Sequence, residues 1–401
     1  MSQLITQEFV EGESGPLISY GIPAAQACHY HIEATLNGNK IYLLCSKSLA
    51  TNTNVVDQFQ RALGDRIVGL RIGMKPHTLW SEVVDIINNA RPLNVDVIIT
   101  IGAGSLTDAA KVIAWGLAND VRTEEDLGLL AHTNSERSIE LKPPSVRHIA
   151  VPTTLSGGEY TSFAGATDDK TKIKTLFRPP TQNPTVVVLD PEIAATTPSR
   201  LFLGTGIRAV DHCVETICSL ESNENADIAA MEGLKLLIPS LLAYKREPRD
   251  DTAIMRALLG AAESIKTSHY GVPKGASHAI GHQLGPLGVP HGETSCIMLP
   301  AVCRFNALKG ANVEQQDQLA EALLRIVEVS ELMKDRTSDL AAILDSFIAV
   351  LGLPRTLSEV GIGKVVFETL AENTLTDMWA KTNPVPLMEK QDVLEILELA
   401  L

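Results

Sequence analysis

Long apolar runs, paired cysteines and clustered basic residues are all missing from this 401-residue sequence. No stretch approaches the roughly 18–20 consecutive apolar residues of a membrane-spanning helix, so no span is expected. The opening MSQLITQEFVEGESG has no basic segment leading into an apolar core. It does not read as a secretory signal, and a cytoplasmic location is expected. Lys and Arg number 34 against 48 Asp and Glu, a net charge of −14 that argues against nucleic acid as a partner. None of the six cysteines forms a CxxC pair, and most sit in apolar runs such as IYLLCSKS and SCIMLPAVC. Free buried thiols in a reducing compartment follow. There is neither an internal repeat nor a low-complexity tract.

What is present suits a soluble globular chain of two domains, with 45% hydrophobic and 20% charged residues. Short β-rich segments at 40–46, 66–73, 95–104, 147–154 and 185–191 alternate with amphipathic ones at 49–63 and 78–90. That alternation predicts βαβ units and a parallel sheet buried on both faces. Beyond Pro198 the strand signal stops, and 225–244, 252–267, 314–328 and 335–351 carry an i, i+3, i+4 apolar stripe. The expected division is an α/β domain over 1–195 and an all-α domain over 196–401, joined at the Pro- and Thr-rich LDPEIAATTPSR. A cleft between two such halves is the natural ligand site.

Two glycine-rich turns follow strands. In ITIGAGSLTDAAKVIAWG, Gly102, Gly104 and Ser105 precede a helix that carries Asp108 and Lys111. Glycines let a backbone approach a pyrophosphate, and the helix start offers it N–H groups. By itself the pattern fits a tight strand-to-helix turn equally well. In VPTTLSGGEYTS, Thr153, Thr154, Ser156, Gly157, Gly158 and Glu159 either wrap a phosphate, ribose or amide, or cap a helix. Two such loops after successive parallel strands favour a dinucleotide.

The stretch GASHAIGHQLGPLGVPHGETSC sets His278 and His282 one helical turn apart, breaks at Gly285-Pro286, and then supplies His291. Three histidines this close point to a metal or to proton handling.

At these motifs the chain resembles the iron-containing (group III) alcohol dehydrogenases, and more narrowly their maleylacetate reductase branch. GAGSLTDAAK matches GGGSxxDxAK, PTTLSGGEYT matches PTTxxGSExT, and GIRAVDHCVE matches GxDAxxHxxE. The likeness continues through SHAIGHQLGPLGVPHGE and NPVPLMEKQDVLEIL, where Val385 replaces the usual Arg. The resemblance implies a Rossmann-like N-terminal domain binding NAD(H) or NADP(H), a helical catalytic domain, a small-molecule substrate and a homodimer. In metal-dependent members one aspartate and three histidines hold the ion; the matching positions are Arg208, His212, His278 and His291. His282 matches a histidine near the nicotinamide. The His278–His291 spacing is one residue shorter than the family's.

Arg208 reverses the charge of the one anionic ligand, where maleylacetate reductases typically carry asparagine and are thought to work without metal. A divalent cation about 4–5 Å from a guanidinium is repelled by several kcal/mol at an effective dielectric of about 20. A divalent metal is therefore not expected, although three histidines can hold zinc alone. Arg208 either pairs with Asp211 or Glu215, or itself polarises a carbonyl, stabilises an alkoxide or clamps a carboxylate. His282, His291, Arg208, His212 and His278 are the expected catalytic set. Ser46, Gly102, Gly104, Ser105, Asp108, Thr153, Thr154 and Ser156 are the expected cofactor set. Ser46 and Lys47 stand where NAD-preferring relatives often carry an aspartate near the ribose 2′-hydroxyl, which leaves NADP(H) tolerated. Lys172, Lys174 and Arg178 either receive substrate carboxylates or form a solvated hairpin.

These features lead to an NAD(P)H-dependent reductase of a carbonyl or enone in a small, carboxylated substrate. The alternatives are a metal-free lyase or isomerase, a metal-dependent alcohol dehydrogenase, and a nucleotide-binding scaffold. Intact glycine loops count against the last, since a scaffold needs no pyrophosphate turn.

Overall fold

A computed structural model describes residues 3–75, 78–131, 141–177, 183–333 and 339–401. The chain forms two compact units, Met1–Thr196 and Thr197–Leu401.

Among the described residues, the first unit has nine strands: β1 (Ile5–Glu8), β2 (Leu17–Tyr20), β3 (Ile41–Cys45), β4 (Ile67–Ile72), β5 (Val97–Gly102), β6 (Arg147–Pro152), β7 (Ala164–Thr167), β8 (Lys174–Phe177) and β9 (Val186–Val188). Seven make one sheet in the order β1-β2-β9-β6-β5-β3-β4, parallel except for the β1–β2 pair. The five expected strands are β3, β4, β5, β6 and β9. Successive side chains on a strand face opposite ways. Ile41, Leu43 and Cys45 of β3 therefore join Val97, Ile99 and Ile101 of β5 in one core layer, under helices Ala24–His31 and Val55–Leu63. Tyr42, Leu44 and Ile98 join the opposite layer, under helices Trp80–Ala90 and Gly104–Ala118. Each such side chain contributes about 1.5–3 kcal/mol when fully buried. With both faces apolar, what resists a register slip is the fit of individual side chains rather than polarity.

The hairpin β7–β8 stands apart from the main sheet. Lys172 and Lys174 are exposed on it, and Arg178 lies outside the described residues.

The second unit is helical, with no strand among the described residues. Its centre is the helix Ser199–Ile217, every residue of which from Phe202 to Thr216 is buried. Helices Glu224–Arg246, Asp251–His269 and His291–Leu308 pack around it. A helix buried on all sides must satisfy any polar side chain it carries, and this one carries Arg208, Asp211, His212 and Glu215. No described helix is long and apolar enough to cross a membrane.

Candidate active site

The chain leaves β3 for β4 on one side and returns to β5 on the other, so the sheet reverses between β3 and β5. Ligands of open parallel sheets bind at such a reversal, beyond the carboxyl ends of the strands. Ser46 follows β3 and donates its N–H to Ile101 O at 3.0 Å. Gly102 ends β5 with φ +154°, and a Cβ there would lie 2.8 Å from Leu106 Cδ1 and 3.1 Å from Ser46 Cβ. Gly104 opens the helix Gly104–Ala118, whose N-cap Ala103 has no side chain able to cap it. The helix start therefore keeps orphan N–H donors, and its dipole favours an anion there. A Cβ on Gly104 would lie 3.1 Å from Ser156 Oγ, which itself lies 3.2 Å from Thr154 Oγ1. Thr153 is buried and donates its N–H to Gly102 O at 3.1 Å. Ser105 accepts a bond from Thr78 Oγ1 at 3.0 Å.

The two glycine turns thus meet, and Ser46, Gly102, Gly104, Ser105, Thr153, Thr154 and Ser156 share one end of the sheet. Asp108 sits one turn into the helix, where its Oδ2 accepts the Gly165 N–H at 3.1 Å. It holds a loop.

In the second unit four histidine rings form a run. Ring centroids are 4.8 Å apart for His212–His278, 6.5 Å for His278–His282 and 6.4 Å for His282–His291, the last pair parallel. His278 and His282 lie on the helix Ala276–Leu284, and His291 begins the next long helix after the Gly-Pro break. That second helix approaches Ser199–Ile217 closely: a Cβ on Gly292 would lie 2.5 Å from Gly204 C. Glu293, paired with Arg200, ties the same two helices together.

Glu215 organises the run from below. It accepts the N–H groups of Gly275 and Ser277, each at 2.9 Å, and His278 Nδ1 at 2.6 Å. One carboxylate thereby caps the histidine helix and fixes the tautomer of His278, whose buried Nε2 has no hydrogen-bond partner among the described residues. His282 Nδ1 is fixed in the same way by Asp377 Oδ2 at 2.9 Å, but its side chain is 38% exposed. Burial drives His212 and His278 well below the usual histidine range, so both are neutral.

Arg208 is only 3% exposed. Its Nη1 donates to Ser295 Oγ at 3.1 Å, Ser295 donates to Asp211 Oδ2 at 2.5 Å, and Nη1 is itself 3.7 Å from that oxygen. Ser277 Oγ also donates to Asp211 Oδ2, at 2.9 Å. Nη1 would lie 3.5 Å from a Cβ on Gly281, between His278 and His282. The guanidinium therefore pairs with Asp211 and also lies against the histidine helix. Its Nε is buried without a partner among the described residues. Burial pulls the Arg208 pKa down, while Asp211, Glu215 and Asp377 pull it back up.

Lys274 completes the charge balance. Its Nζ donates to Thr267 Oγ1, Thr216 Oγ1 and His212 O at 2.8, 3.0 and 3.2 Å, and burial lowers its pKa to about 8. Burial raises the pKa of both Asp211 and Glu215.

A divalent metal among these residues would face the buried Arg208 guanidinium, while Asp211 Oδ1, His212 Nδ1 and His278 Nε2 have no hydrogen-bond partner among the described residues. The one set of three or more potential ligands with atoms within 4.8 Å of each other among the described residues is Asp211, Glu215 and His278. The oxygens of Glu215, Asp211 Oδ2 and His278 Nδ1 are already committed to hydrogen bonds with each other or with Gly275, Ser277 and Ser295. His212, His278 and His291 do not form such a set, and a guanidinium lies against their helix. Sequence reasoning did not single out Ser277, Ser295, Lys274 or Asp377. Asp377 reaches His282 across 95 positions, a separation on which no local motif reports.

A mostly parallel sheet with glycine turns at its reversal, followed by a helical unit whose histidine run is buried at His212 and His278 and exposed at His282 and His291, is the architecture of a two-part oxidoreductase. The chain belongs to the iron-containing alcohol dehydrogenase family: the model for Iron-containing alcohol dehydrogenase matches residues 18–191, and that for the Fe-containing alcohol dehydrogenase family, C-terminal, matches 202–401. It is 37% identical to Dehydrogenase FUM7 of Gibberella moniliformis, over 96% of each chain. It is 27% identical to the NAD-dependent methanol dehydrogenase of Bacillus methanolicus, over 91% of this chain and 93% of that one. Among solved structures, maleylacetate reductase from Rhizobium sp. strain MTP-10005 aligns at a TM-score of 0.76 with 25% identity, covering 98% of both chains. The protein is a dehydrogenase or reductase of this family using a nicotinamide cofactor.

Proposed function

We propose that the chain is a metal-independent NAD(P)H-dependent reductase of a carbonyl or enone in a small carboxylated substrate of the maleylacetate kind. The observation that carries this reading is the buried Arg208 guanidinium lying against the histidine helix. The likeness to a maleylacetate reductase supports the substrate class.

The glycine turns would hold the dinucleotide, which would supply the hydride for a carbonyl carbon. As the carbon–oxygen π bond breaks, its electron pair moves to oxygen, and the unpartnered Nε–H of Arg208 stabilises the developing alkoxide. A proton must then reach that oxygen. His282 suits this transfer, because Asp377 accepts its Nδ1–H and leaves Nε2 to carry the proton. Partial exposure lets solvent reload the ring. His291, parallel to His282, is the second proton carrier.

Nicotinamide absorbance assays with maleylacetate, keto acids, aldehydes and simple alcohols test the reading. The expected result is NAD(P)H oxidation with carboxylated carbonyl substrates, unchanged by chelators. Turnover of simple alcohols only after addition of iron or zinc would overturn it.

At the ribose end, Ser46→Asp is expected to move the ratio of kcat/KM values for NADPH and NADH toward NADH by about tenfold, since a carboxylate repels a 2′-phosphate. An unchanged ratio would remove Ser46 from the 2′ site.

A further inference from the structure

Lys111 is 2% exposed, about two helical turns beyond Gly104, and the reduction chemistry does not use it. A buried ammonium is costly unless its protons are placed, and here they are placed on one loop. Nζ donates to Gly158 O at 2.6 Å and to Phe163 O at 2.7 Å, and it lies 3.7 Å from Asp108 Oδ1. Asp108 Oδ2 takes the Gly165 N–H, and Thr107 Oγ1 donates to Glu159 Oε1 at 3.1 Å. Three neighbouring residues of one helix thus hold the segment Gly158–Gly165 at four points. That segment directly continues the loop bearing Thr153, Thr154 and Ser156, and Ser156 Oγ would touch a Cβ on Gly104.

We propose that Lys111 is a positioning residue for cofactor affinity: it latches the second glycine loop in the shape that faces the first. The proposal rests on the reading that these turns bind the nicotinamide dinucleotide. Both carbonyls that Lys111 reaches belong to the second glycine loop and its continuation, so its loss loosens that loop and leaves the hydride step alone. Such a residue separates KM for the cofactor from kcat.

The test is fluorescence titration of NADH and NADPH, with steady-state kinetics, on Lys111→Met, Lys111→Arg and Thr107→Val. Lys111→Met keeps the apolar stem and removes the donor. It is expected to raise Kd and KM for the cofactor by about tenfold, with kcat at saturating cofactor within about twofold. Lys111→Arg should restore part of the affinity, because a guanidinium also donates to two carbonyls. Thr107→Val, a milder change in the same latch, should raise Kd less and leave kcat alone; if Lys111→Met does not fold, this variant decides. A Kd unchanged in the folded variants, or a loss confined to kcat, would overturn the latch. Gly104→Val in the same titration separates the two readings. Unchanged affinity there removes the dinucleotide assignment itself, whereas lost affinity there with an unchanged Kd in Lys111→Met removes only the latch.

Discussion

Arg208→Ala is expected to lower turnover by about 10²–10³-fold while leaving the Kd for NAD(P)H within about twofold, the loss typical of removing one donor to a developing oxyanion. Two features of the site set that size. The Nε–H has no other buried partner among the described residues, so the donor is held ready and costs no reorganisation when charge appears. The Nη1 bonds to Ser295 and toward Asp211 fix the plane of the fork. Arg208→Lys should recover only part of the rate, because an ammonium lacks that fork. Removing a buried cation also strands Asp211, which carries a cost of about 3–5 kcal/mol in comparable pairs. Thermal unfolding and helical circular dichroism therefore serve as the check that each variant is folded. Full turnover in folded Arg208→Ala would make the arginine a structural partner of Asp211 and nothing more.

Gly104→Val should abolish measurable NAD(P)H binding without unfolding the chain. The added Cβ alone would lie 3.1 Å from Ser156 Oγ, and the rest of the side chain would stand between the loops where the pyrophosphate is expected. The core beneath is untouched, since Leu106, Ala109 and Ala110 carry the packing of that helix. Thermal unfolding near that of the parent, with no titratable cofactor signal, is the expected pair of results. Retained affinity would mean that the dinucleotide binds elsewhere.

Legibility from sequence followed the range of the interactions. Strands β3, β5, β6 and β9 announce themselves because a sheet buried on both faces demands continuous apolar runs. β1 does not: each residue of ITQE is exposed, and its pairing with β2 is a matter of backbone bonds rather than burial. The histidine spacing is legible because helical periodicity makes it a local fact, and the reversed charge at 208 is legible only through the family resemblance, which implies an aspartate there. What holds those groups is not. Ser295 lies 87 residues from Arg208, Lys274 lies 62 from His212, and each supplies one hydrogen bond that no pattern encodes. Asp108 combines both ranges: the local motif marks it for the cofactor, and its Oδ2 accepts the N–H of Gly165, 57 positions away.

Whether Arg208 stands where a metal would otherwise be held is tested most directly by elemental analysis of the purified protein. The prediction is iron and zinc far below stoichiometry, activity unchanged by chelators, and metal uptake gained only in Arg208→Asp, which restores an anionic ligand beside the histidines. About one tightly held metal per chain in the unmodified protein, with activity lost on its removal, would contradict the role given to Arg208.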